Sequence, residues 1–475
     1  MATVLSAGGA VSARTVGAEC DDSNMRSDGA GGAVDPVVAE VAAMLARLGA
    51  LAVEPAQGAD AGRIDRIAAF EQLRGALAAA QRAEMVAFAR SQVEQHIADD
   101  RFDPAAVGRG IGDQVGLACR VSPFHGSRRL GIARALHFDL RGVRDLLAAG
   151  RISEEIAATV VSETRHLDAE RRRLVDEQIC AAEIDRLSPG RAAAVVGRLA
   201  YEADRAAYVA RGRTARKDRR VGLRSAPDTM SVLSGFLPVE QGVACLAALR
   251  KHTDAVVAAG DTRTRGQIMA DTLVERVTGQ ARAADVNVEV GIVIPVEALV
   301  GPHSDPAPDP GRDRRRCRPG RGAAAEIAGY GPIPATIACD ILAGTEGRRW
   351  WRRLFTTPTG GLVGADPRRR CFDGMLGHLI RLRDGGRCRD PFCDAPIRHL
   401  DHIYPHRAGG PTSLANGRGV CARGNYVREM PGWRVELVHD GLGRHPHTVR
   451  TSTPTGHTYV SRAGPVARGL PDTRG

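Results

Sequence analysis

The sequence predicts a mainly α protein with an α+β part, followed by a small C-terminal unit rich in cysteine and histidine. Through most of the first 220 residues, apolar side chains recur at three- and four-residue spacings, the pattern of amphipathic helices. Runs of β-branched residues appear only after about residue 224. Four cysteines cluster around an Asp-His pair near the C-terminus, which favours metal binding over a disulfide framework.

The N-terminal part divides into a leader and a helical domain. Residues 1–36 are rich in Ala, Gly, Ser and Asp and lack a basic start followed by an apolar core. We therefore expect a disordered leader rather than a signal peptide. From residue 37 to about 223 we expect helices. The predicted helices are Arg63–Ala98, Pro123–Ala149, Ser153–Thr164, Asp168–Leu187 and Gly190–Ala210.

The following segment, to residue 385, predicts a small α+β layer. Met230–Leu237 and Val286–Pro295 have strand patterns, and two predicted helices, Val239–Ala259 and Thr264–Ala281, lie between them. Pro302–Gly322 is rich in Pro, Gly, Asp and Arg and predicts a flexible insert. Two further elements precede the cysteine cluster, a strand pair at Trp350–Leu362 and a helix at Pro367–Gly385.

The bulk composition is that of a soluble globular protein. Hydrophobic residues make up 43% and charged residues 25% of the 475 residues. We find no apolar run near the roughly 20 residues that span a bilayer, so we expect a cytoplasmic protein without a membrane partner. The cysteines outside the cluster have no pairing rhythm and are expected to be reduced thiols.

The net charge of +11 is concentrated near the C-terminus. Residues 381–475 contain fifteen Arg against eight Asp or Glu. A basic C-terminal part suits a polyanion such as DNA. Lys occurs at only two positions, however, so the Arg excess also fits the codon bias of a GC-rich genome, and both explanations stay open.

The segment that carries chemistry runs from Cys388 to Asn425. Short apolar spacings at 397–405 predict one arm of a β-hairpin, and 420–430 predicts a helix. Residues 421 and 425 are four apart and share a helix face. Such a helix would direct Cys421 toward Cys388 and Cys393, and Asn425 toward an Asp-His pair in the hairpin.

This segment resembles the HNH endonucleases, whose catalytic unit is a ββα-metal finger. From about residue 37 onward, the chain also resembles an actinobacterial family, well represented in mycobacterial repetitive elements, that joins an N-terminal domain of unknown function to a C-terminal HNH module. The resemblance implies domains at 37–385 and 386–434, with a strand and an extended tail at 435–475. The motifs that carry it are Arg387-Cys388, Cys393-Asp394-Ala395-Pro396, Leu400-Asp401-His402-Ile403, Gly409-Gly410-Pro411-Thr412-Ser413, Asn416-Gly417, Cys421 with Asn425-Tyr426, and, in the N-terminal part, Leu146–Ile152 and Ala325–Pro334.

The resemblance implies a metal-dependent hydrolase acting on phosphodiester bonds in DNA. His402 corresponds to the general base, and Asp401 and Asn425 correspond to the oxygen ligands of a catalytic Mg²⁺ or Mn²⁺. Asn416 matches the middle Asn, a candidate catalytic residue whose usual role is to fix the loop. Candidate DNA contacts are Arg387, Arg398, His406, Arg407 and Arg423.

The resemblance also implies a structural Zn²⁺, but one ligand departs from the pattern. Cys388, Cys393 and Cys421 match three thiolate ligands, and Gly424 stands where the family has a fourth cysteine. Water, His399 or Cys371 would have to complete the site. A weakened enzyme or an inactive DNA-binding remnant is therefore the alternative, with the N-terminal domain serving self-association in a homo-oligomer.

Overall fold

The structure is a computed structural model that describes residues 35–53, 57–280, 282, 324–327, 331–334, 372, 374–441 and 445–464. Several predicted features lie outside these residues. They are the leader up to residue 34, the strands at 286–295 and 350–362, the insert at 302–322, and the thiol of Cys371.

The described part is mainly helical with small antiparallel sheets, as the sequence predicts. Its helices are α1 Pro36–Val53, α2 Asp60–Ala98, α3 Ile111–Ala118, α4 Pro123–Phe138, α5 Arg141–Ala148, α6 Glu154–Thr164, α7 Ala169–Ala181, α8 Pro189–Ala203, α9 Arg205–Ala215, α10 Val239–Ala258, α11 Arg265–Thr278, α12 Gly374–Arg383 and α13 Ala422–Val427. Its strands are β1 Arg220–Ser225, β2 Ser231–Phe236, β3 Ala324–Ile327, β4 Gly331–Pro334, β5 His399–His402, β6 Gly417–Val420, β7 Arg434–His439, β8 Thr448–Ser452 and β9 Thr458–Arg462.

Helices α4 to α8 surround one apolar core. Leu140, Val143, Leu147 and Ile179 are fully buried in it. Side-chain caps fix where several of these helices begin; Ser153, for example, accepts a hydrogen bond from the Ile156 N–H at the start of α6. A second apolar cluster joins α2, α3 and α4.

Two predicted elements in this region need correction. The helix expected over 123–149 is divided into α4 and α5, because the chain leaves helical geometry at Leu140, whose side chain is fully buried in the core. The helical pattern expected to about residue 223 ends earlier, and 220–225 forms β1, paired antiparallel with β2. All six β1 residues are exposed, so backbone pairing rather than a buried face defines this strand.

The first helix, α1, changes one premise of the sequence analysis. Its 18 residues are long and apolar enough to cross a membrane, with a mean hydropathy of 1.7, and none is buried in the structure. Core helices and signal sequences also have this composition. Glu40 and Arg47 interrupt this apolar run and mask it in the sequence, and the expectation of no membrane partner stays a prediction.

The C-terminal unit comprises α12, the hairpin β5–β6, the short helix α13 and a three-stranded sheet. Strands β5 and β6 pair antiparallel, with Asp401 opposite Arg418, and α13 follows β6 directly. The expected tail of one strand and an extended segment is wrong for residues up to 464, where β7, β8 and β9 form an antiparallel meander. Neither β8 (TVRTS) nor β9 (TYVSR) shows a clear apolar alternation, which hid these strands, although Gly456 marks the turn between them with a φ of +80°.

This unit packs against the helical domain through α3. The Arg423 guanidinium of α13 bonds the Asp113 carboxylate, with Nε 2.6 Å from Oδ1, and also donates to the Ser127 hydroxyl at 2.8 Å. The Thr455 hydroxyl, in the β8–β9 turn, lies 3.1 Å from Gln114 Oε1. The helical domain therefore fixes the position of the helix that carries Gly424 and Asn425.

Candidate nuclease and metal site

A surface cleft of about 490 Å³ lies over strand β5 and the loop that follows it. Five residues predicted for catalysis, metal binding or DNA contact line it, together with His399. These five are Arg398, Asp401, His402, His406 and Arg407. The other lining residues are Phe372, Arg381, Leu400, Pro405, Arg428 and Glu429. Four arginines against two carboxylates give the cleft a positive character suited to phosphate groups.

The His402 imidazole is held on two sides. Its Nε2 lies 2.9 Å from the Thr412 hydroxyl, and its ring centroid lies 4.3 Å from that of Phe372. Strand β5 places the imidazole in the cleft, and the Thr412 hydroxyl fixes the ring orientation. A histidine positioned in this way has the chemistry of a general base.

The Asp401 carboxylate is paired with two arginines. The Arg428 guanidinium bonds Asp401 Oδ2 and the His402 carbonyl, and Arg418 Nη2 lies 3.4 Å from the same Oδ2. Arg418 is fully buried. Burial alone would lower the pKa of Arg418, but the carboxylates of Asp390 and Asp401 raise it above its ordinary value, so the guanidinium remains charged.

The Asn416 side chain fixes the loop between β5 and β6 by hydrogen bonds to its backbone. Its side-chain oxygen accepts a hydrogen bond from the Tyr404 N–H at 2.8 Å. Its amide donates to the carbonyls of Tyr404 and Pro411 at 3.0 and 2.9 Å. The residue is buried, so its contacts fit the loop-fixing role rather than direct participation in chemistry.

Three other predicted site residues lie away from the cleft. Asn425 is half-buried on α13 and is not among the described residues that line the cleft; Arg428, one turn later, contacts Asp401 instead. Arg423 faces Asp113 of the helical domain, not the cleft. The exposed Arg387 donates to the Asp394 carbonyl at 2.7 Å. Among the described residues Arg428 bonds Asp401, and the pairing of Asp401 with Asn425 stays a prediction.

The three cysteines predicted to bind zinc come together behind the hairpin. The Sγ atoms of Cys388, Cys393 and Cys421 all lie within 4.8 Å of one another, and all three residues are buried. Hydrogen bonds from the other two thiols hold the pKa of Cys421 far below its ordinary value, and the Gly424 N–H also donates to its Sγ at 3.3 Å. Hydrogen bonds to the other two thiols and burial raise the pKa of Cys388; for Cys393 a bond with Cys388 lowers the pKa, but the bond with Cys421 and burial raise it more. The three thiols therefore share one negative charge, and the cluster could hold a metal ion that displaces the remaining thiol protons.

His399 does not complete this cluster. It lines the cleft on the exposed side of β5, whereas the thiols are buried against Val420.

A buried network of charged side chains bonds the backbone of β6 and of the loop before it. The Asp384 carboxylate bonds Arg383 Nε at 2.8 Å and accepts from the Gly419 N–H at 2.8 Å. Arg383 also donates to the carbonyls of Leu414 and Gly417. Both charged side chains are almost completely buried. This network positions the strand that carries Arg418.

Sequence reasoning missed Arg381, Thr412, Arg418 and Arg428. An Arg-rich chain gives no signal that distinguishes a structural arginine from a solvated one. Pairing β5 with β6 would have found Arg418, since the register places it opposite Asp401.

The fold and site define a mainly helical protein with a C-terminal hairpin–helix unit that holds three buried cysteines beside a basic cleft. Residues 67–297 match the family model described as a domain of unknown function (DUF222). This confirms the predicted resemblance of the N-terminal part to a domain of unknown function. The match ends before the cysteine cluster, so the HNH resemblance stays a prediction. No curated protein and no solved structure matches the chain.

Proposed function

We propose that the C-terminal unit is an HNH-type DNA endonuclease, with β5, β6 and α13 as its ββα finger. The observation that carries the proposal is the placement of His402 and Asp401 side by side on a hairpin strand that lines a cleft with four arginines. Phosphodiester hydrolysis needs a base for water and positive charge near the scissile phosphate. The cleft offers groups of both kinds.

In this proposal each side chain has a defined task. His402 accepts the proton of the attacking water, and Thr412 keeps its ring in position. Arg398 and Arg407 are exposed at the cleft and bind backbone phosphates. His406, whose ring centroid lies 5.4 Å from that of His402, extends the same surface.

A catalytic Mg²⁺ or Mn²⁺, when bound, would neutralise charge on the phosphate and leaving oxygen. The donor set fits this ion incompletely. Of the two expected oxygen ligands only Asp401 lies at the cleft, and Arg418 and Arg428 already bond its carboxylate. The Arg428 guanidinium adds positive charge beside His402, but it is bonded to Asp401 and to the carbonyls of His402 and Ile403.

The test is nicking of supercoiled plasmid DNA by the full-length protein, with Mg²⁺, Mn²⁺ or EDTA. We expect nicking that His402→Ala reduces by at least about 100-fold, the range for loss of a general base. His439→Ala, an exposed histidine of β7, is the matched control and should leave nicking unchanged. Equal nicking by His402→Ala and the wild type would refute the proposal.

A second candidate is a DNA-binding remnant that no longer cuts, favoured by the double arginine pairing of Asp401. It predicts DNA retention without nicking under every metal condition. Arg398→Ala with Arg407→Ala should weaken that retention and flatten its salt dependence, because each lost phosphate contact reduces the release of counterions. Filter binding at several salt concentrations measures this. Retention with an unchanged slope would place the DNA elsewhere on the protein.

A further inference from the structure

The place of the missing fourth cysteine is filled by another side chain. An ideal Cβ built on Gly424 would overlap Oδ2 of Asp390 and lie 2.9 Å from its Cγ. Any side chain at residue 424 would therefore displace the Asp390 carboxylate. The glycine and the aspartate are sterically complementary: the carboxylate enters the space that a cysteine side chain at 424 would occupy.

We infer that Asp390 is the fourth ligand of a zinc site completed by Cys388, Cys393 and Cys421. Asp390 lies in the turn between the first two cysteines, and its backbone carbonyl accepts from the Cys393 N–H at 3.1 Å. Aspartate oxygen is one of the ligand types that Zn²⁺ accepts, beside thiolate and imidazole. The site is a property of the scaffold and does not depend on the proposed nuclease function.

Two distances match edges of one tetrahedron, whereas the Asp390 carboxylate is not within 4.8 Å of all three thiols, so binding requires it to shift toward the remaining sulfurs. Zn–S bonds of about 2.3 Å and a Zn–O bond of about 2.0 Å give edges of about 3.8 Å between sulfurs and about 3.5 Å between sulfur and oxygen. Cys393 Sγ lies 4.0 Å from Cys421 Sγ, and Asp390 Oδ2 lies 3.6 Å from Cys388 Sγ. Both separations fall within about 0.2 Å of these edges.

The two oxygens of Asp390 have separate partners. Oδ1 accepts from Arg418 Nη1 at 2.8 Å, and Oδ2 faces the cysteines. The buried Arg418 therefore orients the carboxylate and offsets part of the negative charge of three thiolates and one carboxylate. Because Arg418 Nη2 lies 3.4 Å from Asp401, one guanidinium joins the zinc site to the cleft.

The first experiment measures zinc affinity of the full-length protein by competition with a chromophoric chelator, in the absence of DNA. We expect one Zn²⁺ per chain and a loss of affinity of about 100-fold or more in Asp390→Asn, which keeps the size of the side chain. Asp394→Asn is the matched control: it removes the same charge from an exposed residue next to Cys393 and should bind zinc like the wild type. Unchanged affinity in Asp390→Asn would overturn the assignment, as would absence of zinc binding by the wild type.

A second measurement does not depend on the folding of Asp390→Asn. X-ray absorption at the zinc edge of the wild type should give three sulfurs at about 2.3 Å and one oxygen at about 2.0–2.2 Å. Asp390→Ala combined with Gly424→Cys should give four sulfurs, and its Co²⁺ form should show stronger thiolate charge-transfer absorption than the wild type. Four sulfurs or an imidazole nitrogen in the wild-type zinc shell would contradict the inference. Zinc binding is measured without nicking, so either proposal can fail alone.

Discussion

The helical domain is organised around one continuous aliphatic core, whereas the C-terminal unit buries a network of charged side chains beside its aliphatic residues. The core of α4 to α8 is built from residues such as Leu140, Leu147 and Ile179. The interior of the C-terminal unit includes Asp384 and Arg418. The larger domain buries enough apolar surface for its own stability. The small unit has fewer apolar residues, so ion pairs, hydrogen bonds and, in our proposal, zinc hold its strands in place.

This contrast predicts different vulnerabilities. Large-to-small substitutions in the helical core remove apolar burial and leave a cavity. In the C-terminal unit the damaging change is removal of one partner from a buried ion pair, because the remaining charge stays inside without compensation.

The largest effect is expected from Asp384→Ala. This substitution leaves Arg383 and Arg389 buried without their carboxylate, and the Gly419 N–H loses its acceptor. We therefore expect the free energy of unfolding of the C-terminal unit to fall by about 3–5 kcal/mol. Urea unfolding followed by hydrogen exchange of residues 386–464 measures it. Asp394→Ala, at an exposed site, should change stability by less than about 0.5 kcal/mol.

In the helical domain, we expect Leu147→Ala to lower the free energy of unfolding by about 2–5 kcal/mol, because it leaves a cavity in the core. In this variant, protection against hydrogen exchange should fall in α4 to α8, while the zinc affinity stays at the wild-type value. If Asp384→Ala instead destabilised mainly α4 to α8, the two regions would not be held by separate interactions.

A smaller loss of stability is expected at low pH, where the buried imidazole of His447 becomes protonated. Burial, and next the charge of Arg383, lower the pKa of this imidazole to about 4 from its ordinary value of 6.5. Since the unfolded chain binds the proton more tightly, stability from this group is complete above about pH 6.5 and falls as the pH decreases toward 4. At about 1.4 kcal/mol per tenfold difference in proton affinity, the loss is about 3 kcal/mol.

Urea unfolding of the C-terminal unit between pH 7 and pH 4 tests this. His447→Gln should flatten the pH dependence, whereas His445→Gln, at an exposed position, should not. The same slope in His447→Gln and the wild type would mean that other groups cause the acid sensitivity.

The smallest effect concerns the contact between the two regions. Asp113→Asn weakens the bidentate pair with Arg423, and we expect a loss of about 1–2 kcal/mol, since the Arg423 side chain is 37% exposed. Exchange protection should decrease in both α3 and α13. Asp103→Asn, an exposed residue of the same domain, is the control. A change in α3 alone would show that the pair does not couple the two regions.

The sequence predicted the helical class and several helices closely; α10 is Val239–Ala258 against an expected 239–259. Apolar periodicity is a local signal, so it survives without tertiary information. The break at Leu140 and the strands β8 and β9 were missed, because burial by distant residues defines them. At the site, the sequence placed Asp401 and His402 on one strand, but it could not show that Arg428 bonds Asp401.

By itself, the sequence determined the helical framework and the residues on which our proposals rest, the three cysteines and the Asp-His pair. Motif spacing and apolar periodicity are local properties of the sequence, so they can be recognised without the tertiary structure. The tertiary structure decided what stands beside each group. It placed the carboxylate of Asp390 in the space beside Gly424 and the guanidinium of Arg418 between Asp390 and Asp401. These contacts depend on a strand pairing and a buried turn that bring together residues as far apart in the chain as Asp390 and Gly424, a proximity that no local pattern encodes.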